Sequence, residues 1–234
     1  MRNIKDEAVY DPALYHRDRI RRGLGFSPRD RVILFASYLR SHKGIFELVE
    51  LQAALGDERY RLLFAGTVPN PDQERLIREY GDRITLLPPG NQQTMAGINL
   101  AADLVVLWQD PDVSASHYQM PYKLTDALAM NTPVIANDIS ELGDLGRQGY
   151  LRLVPYGDHE KMVQTINEVF ADEQSTRSMV QAGRRLYLRQ FSYHAARANF
   201  ALALHRVMEN PEKILPQAAH FDHFFQKYRD AVDI

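Results

Sequence analysis

At 234 residues, 45% apolar and 25% charged, the chain has the make-up of an ordinary globular protein with room for one large domain, or one domain plus a tail. A formal net charge of −2 gives no electrostatic reason to expect nucleic acid, and the lack of cysteine excludes disulfide scaffolds, thiol nucleophiles and Cys-ligated metals. No stretch reaches the roughly 18 apolar residues of a membrane span, and the charged start from Met1 to Pro12 lacks the apolar core of a secretory signal, so a soluble cytoplasmic protein is expected.

Ahead of the first strand, Arg17, Arg19, Arg21 and Arg22, interrupted by Asp18, read as the solvated face of a helix. Apolar runs then alternate with helix-period segments. Val32–Ala36 is a short strand, 44–55 a helix, Tyr60–Ala65 a strand, 72–80 a helix, 83–87 a strand and 94–102 a helix. Leu104–Leu107 is a fourth strand, 124–130 a helix, 133–136 a fifth strand and 150–154 a sixth. The runs are apolar throughout rather than alternating, as strands covered on both faces require. Strand-helix alternation of this kind predicts an α/β fold: a Rossmann-like, doubly wound parallel sheet of about six strands with right-handed crossovers and helices on both faces. After Pro155 the pattern is purely helical, over 159–170, 173–189 and 193–208, the last with Ser192 as N-cap. Pro211 and Pro216 break the chain before an amphipathic segment whose Phe221, Phe224, Phe225, Tyr228 and Val232 form an apolar stripe. The expected organisation is a leader over 1–30, the α/β domain over 31–210 and a helical tail over 211–234.

In an open parallel sheet, ligands sit beyond the carboxyl ends of the strands, so the loops there carry the chemistry. The loop after the first strand places Arg40 and Lys43 just before a helix start, where free backbone N–H groups already favour phosphate. Such a pair suits a diphosphate, although spacing alone fits a solvated loop equally well. The loop after the fourth strand, 108–120, is long and polar, contains His117, and runs into Pro121, a good first residue for a helix. On that helix Lys123 and Asp126 share a face: lysine could meet phosphate and the carboxylate a ribose diol, or the two could form an ordinary intrahelical pair. His220 and His223 lack the further ligands a metal site needs.

At these residues the chain resembles the C-terminal, donor-binding domain of the retaining GT-B-fold glycosyltransferases (group 1, family 4-like). The resemblance runs from about Val32 to Phe191. Arg40-Ser41-His42-Lys43-Gly44-Ile45 is similar to the family's arginine and Lys-Gly loop. Pro121-Tyr122-Lys123-Leu124-Thr125-Asp126-Ala127-Leu128-Ala129, followed by Asn131-Thr132-Pro133-Val134-Ile135-Ala136, resembles its Pro-x-Lys-x-x-Glu-Ala-x-Ala and Pro-Val-Ile-Ala block. Val154-Pro155-Tyr156-Gly157-Asp158 and Phe191-Ser192-Tyr193 match two weaker downstream markers.

The resemblance implies that Arg40 and Lys43 hold the donor diphosphate and stabilise the leaving group, and that Lys123 also faces it. It implies that Asp126 binds the ribose, that the Pro89-Gly90 loop lies near the base, and that His117, Tyr118 and Gln119 face the donor sugar. Two departures stand out: Asp126 is one methylene shorter than the family's glutamate, and Tyr118 stands where a first glutamate is the rule. Neither a metal nor a cofactor is implied, since the nucleotide-diphosphate sugar is itself the substrate. Residues 1–30 resemble the interdomain linker of a two-domain enzyme, and no acceptor domain fits ahead of the first strand. The expected partner is therefore an N-terminal acceptor domain, in a separate chain or a longer protein, through which any peripheral membrane association would come. The chain is expected to bind donor without transferring sugar alone. Two other readings share this fold: a nucleotide-sugar epimerase, and a non-catalytic nucleotide-sugar-binding module.

Overall fold

A computed structural model describes residues 3–37, 45–67, 70–118 and 120–209. Six parallel strands form one sheet in the order β3-β2-β1-β4-β5-β6. They are β1 (Arg31–Ala36), β2 (Tyr60–Ala65), β3 (Ile84–Leu87), β4 (Leu104–Leu107), β5 (Val134–Asn137) and β6 (Arg152–Val154). The chain order reverses between β1 and β4, which pair through Ile33 with Leu104 and Leu34 with Val105. That reversal opens a crevice at the carboxyl edge of the sheet.

Successive side chains of a strand point to opposite faces, and the core divides accordingly. Val32, Leu34 and Ala36 pack with the layer containing Ala96, Ile98, Leu124, Leu128 and Leu142. Ile33 and Phe35 pack with Ile45, Leu48, Leu76, Met162 and Ile166 on the other side. The first layer thus holds α4 (Gln92–Ala101), α5 (Tyr122–Ala129), α6 (Ser140–Arg147) and α8 (Glu173–Gln190), and the second α2 (Ile45–Ala54), α3 (Asn70–Tyr80) and α7 (His159–Ala171). Side chains fix several helix starts: Asn91 accepts from Thr94 N, Asp158 from Lys161 N and Asp172 from Ser175 N.

Among the described residues the predicted strands and helices fall within one or two residues of the observed ones, and one α-helix, α6, is missing from the prediction along with two short 3-10 turns. Helix α6 spans only 8 residues and carries Gly143 and Gly146, residues that read as turn formers; a Cβ at Gly146 would sit 2.3 Å from Leu153 Cγ, which is why the position is bare. The Arg17–Arg22 cluster needs a correction. It is helical, as α1 (Arg17–Gly23), but Arg21 is only 3% exposed rather than solvated. Its guanidinium donates to Asp103 Oδ2 and to the carbonyls of Ala101, Ser27 and Asp30, which compensates the burial of its charge.

Residues up to Tyr193 form one compact unit and His194 onward a second. Helix α9 (Tyr193–Glu209) presents Phe200, Leu202 and Leu204 as exposed apolar side chains. The predicted tail over 211–234, with its aromatic stripe, lies outside the described residues. No described helix is long and apolar enough to cross a membrane.

Candidate functional site

The site-bearing loops follow from the strand order. β1 and β4 lie side by side, so the segments leaving their carboxyl ends converge. After β1 the described backbone continues to Ser37; Arg40 and Lys43 lie outside the described residues, as does Gln119. On the far side of that segment, α2 begins at Ile45 with its first-turn N–H groups at this edge.

From the β4 side the chain arrives through a 3-10 turn, Ser114–His117, to Pro121, the N-cap of α5. Tertiary bonds hold this loop. Asn137, 1% exposed at the end of β5, mimics a strand neighbour: its Oδ1 accepts from Gln109 N at 2.8 Å and its Nδ2 donates to Gln109 O at 2.9 Å. The His117 ring folds back on its own loop with Nε2 2.8 Å from Pro111 O, while its carbonyl accepts from Ser140 Oγ at 2.7 Å. Ser140 adopts φ 49°, a strained value for a non-glycine residue, in making that link. Tyr118 projects outward, 87% exposed.

Lys123 occupies the first turn of α5, and its Nζ lies 5.2 Å from the centroid of the Phe35 ring on β1. The side chain therefore reaches across from the β4 crossover to the end of β1. Asp126, one turn further on, is 7% exposed and faces the leader: its Oδ1 is ion-paired to Lys5 Nζ at 2.7 Å, with the Tyr10 phenol nearby. The structure thus separates Lys123 from Asp126, which spacing alone had put on one face. Burial pushes the Asp126 carboxyl above the usual carboxylate range, with Lys5 and Tyr10 offsetting only part of the rise. Burial, and then the Asp126 charge, push the Tyr10 phenol up, so it stays a donor.

Beyond β2 and β3 lies a cleft of about 320 Å³, lined by Gly66, Thr67, Gln73, Leu87, Pro88 and Pro89. Gly66 adopts φ 144°, and a Cβ there would lie 1.7 Å from Ser37 O, so only glycine lets the ends of β1 and β2 approach this closely. Gly90 follows the cleft, with Thr94 so near that a Cβ would meet its methyl at 2.6 Å. Near the end of β4 the Trp108 ring packs at a tilt against Tyr156, centroids 5.6 Å apart, and the Tyr156 phenol is pushed up by burial, with the Asp110 and Glu47 carboxylates adding to the rise. Among the described residues no group of three His, Asp or Glu is placed to hold a metal.

Sequence reasoning missed Lys5, Tyr10 and Asn137. A lone lysine or tyrosine in a polar leader has no periodicity to betray burial, and an asparagine ending a strand reads as a turn residue.

Comparison with known proteins bears on what this edge binds. Residues 16–186 match the family described as glycosyl transferases group 1. A Bacillus subtilis glycosyltransferase named for teichuronic acid biosynthesis is 31% identical over 140 residues, covering 59% of this chain and 33% of that protein. The D-inositol 3-phosphate glycosyltransferase of Mycolicibacterium gilvum is 28% identical over 180 residues, covering 73% of this chain and 38% of its own length. The chain therefore spans under two-fifths of either relative. Among solved structures, Anabaena HepE in complex with UDP-glucose superposes with a TM-score of 0.71 at 18% identity, over 87% of this chain and 56% of that one. The C-terminal domain of a group 1 glycosyl transferase from Francisella tularensis gives 0.61 at 17% identity, over 81% of this chain and 99% of that domain. Both share the Rossmann-like GT-B half.

Proposed function

The chain belongs to the glycosyl transferases group 1 family, and from that premise we propose that it is the donor-binding half of an enzyme that moves a sugar from a nucleotide-diphosphate sugar to a glycan or lipid-linked acceptor. One observation carries the reading: Lys123 on α5 reaches over Phe35 at the end of β1, across the switch point of the sheet. A cation there, beside the loop whose sequence contains Arg40 and Lys43 and beside two helix N-termini, makes an edge suited to a diphosphate.

In this reading the base enters the cleft beside Pro88, Pro89 and Gly90, the diphosphate meets Arg40, Lys43 and Lys123, and the sugar lies toward the His117–Gln119 loop. Transfer breaks the bond between the anomeric carbon and the diphosphate oxygen, and negative charge builds on that oxygen. These cations favour the broken state over the intact donor, and that difference is the catalytic contribution of this half. They supply counter-charge without a metal. Transfer proceeds with retention, and the acceptor is bound by an N-terminal half, as a separate chain or as the rest of a longer protein.

Lys43→Ala and Lys123→Ala should each weaken binding of the nucleoside diphosphate by about tenfold or more, the effect of one lost hydrogen bond between charged groups. Lys161→Ala, on α7, serves as the control. Unchanged affinity in both site variants, with the control also unchanged, would remove the donor-site assignment. NMR of the bound donor without acceptor separates the epimerase alternative, which would produce a second sugar configuration.

A further inference from the structure

The residues ahead of α1 are tied to the donor helix α5 at three points, one of them through α8. Before the helix starts, Asn3, 8% exposed, donates from Nδ2 to Met120 O at 2.7 Å. At its middle, Lys5 Nζ meets Asp126 at 2.7 Å, with side-chain exposures of 12% and 9%. At its end, Arg184 of α8 donates both to Ala129 O and, at 2.9 Å, to Tyr10 O. Lys5 is itself fixed by its backbone: its N–H donates to Phe191 O at 2.8 Å and its carbonyl accepts from Tyr193 N at 3.1 Å. The ammonium also lies 5.1 Å from the Tyr10 ring and 5.5 Å from the Tyr122 ring, both within cation–π range. A lysine held at its backbone by two bonds and at its head by a carboxylate and two aromatic faces has little freedom to yield Asp126 to another partner.

We propose that Lys5 is a positioning residue for the donor site: it commits the Asp126 carboxylate to the leader and thereby sets where α5, and Lys123 upon it, stands. The proposal rests on the donor-site reading above and departs from the expected role of Asp126, because this carboxylate is 7% exposed and turned to the leader, where Lys5 holds its Oδ1, rather than toward the edge where a ribose would lie. Ribose discrimination, where it exists, then comes from groups other than Asp126.

Two sets of measurements test this. Urea denaturation of Lys5→Met, Asp126→Leu and the double variant reads the pair without any nucleotide. Non-additive loss is expected, with the double variant more stable than Lys5→Met alone, since that single change strands a buried carboxylate. Additive losses would overturn the proposal. Calorimetry then uses whichever of UDP, GDP and ADP binds the wild type most tightly, alongside its 2′-deoxy analogue. Lys5→Met should weaken the ribonucleotide by about tenfold, and Lys5→Arg should restore most of it. Asp126→Asn should leave the ratio of ribo- to deoxyribonucleotide affinity as in the wild type. A collapse of that ratio in Asp126→Asn would show that the carboxylate holds the ribose and overturn the proposal. A wild type that binds none of the three would remove the donor reading, and the denaturation cycle would still decide whether Asp126 answers to Lys5.

Discussion

At the scale of single residues, this protein spends its buried charges on holding its N-terminal segment. Asp103 is the hub of one such cluster: it accepts from Arg17, from Arg21 at 2.8 Å and from Val32 N at 2.8 Å. Removing it strands the Arg21 guanidinium, whose side chain is 4% exposed, so Asp103→Ala is expected to cost about 3 kcal/mol or more in urea denaturation. A loss within the error of the measurement would contradict the assignment. Asp126 gives a pH-dependent counterpart. Its raised pKa means the folded chain holds that proton more tightly than the unfolded chain. Its contribution is complete below the ordinary carboxylate value of 3.8 and is lost as pH rises through the raised value. The stability of the wild type relative to Asp126→Asn should therefore fall as pH rises from below 3.8, and a difference that rises with pH there would contradict the direction. Neither role is legible in the sequence. Arg21 sits among three other arginines that a helical reading makes equivalent, and Asp126 reads as the near neighbour of Lys123, because its true partner is Lys5, 121 positions away.

Helices and strands were far more legible than single contacts. The central strands are apolar runs, and burial on both faces of a parallel sheet leaves no other pattern for Val32–Ala36 or Leu104–Leu107. Helix α6 escaped because it is short and its Gly143 and Gly146 read as turn residues, although Gly146 is required by the close approach of Leu153 and Gly143 by that of Asp138. Gly66 shows the same principle at the site. Its φ of 144° and the nearness of Ser37 O make Gly66→Ala incompatible with the observed crossing, at an expected cost of about 3 kcal/mol. Gly56, at φ 64° with open space around it, should cost only about 1 kcal/mol for the same change. Equal denaturation midpoints for the two variants would contradict the close packing of the β1 and β2 ends.

For the molecule as a whole, the order of the strands turns scattered motifs into one site. Read along the chain, Pro88–Gly90, His117 and Lys123 are separate features; the β1–β4 junction puts Lys123 over Phe35 at the end of β1, with the loop of His117 leading into its helix and the cleft beyond β2 and β3 at the same edge. That convergence follows from topology and was foreseeable from the strand-helix alternation. What the alternation does not carry is the tie between the leader and α5, since it depends on tertiary contacts of unpatterned polar residues. The family match over 16–186 makes this a glycosyl transferases group 1 domain, and under the proposed function the group to be held at this edge is a diphosphate. The most direct test is a calorimetric titration of the wild-type chain with UDP, GDP and ADP, each beside its monophosphate. One of the three diphosphates should bind, and its monophosphate should bind about tenfold or more weakly, because the cations of this edge grip the terminal phosphate. Binding of none of the diphosphates, or equal affinity for a diphosphate and its monophosphate, would contradict the account.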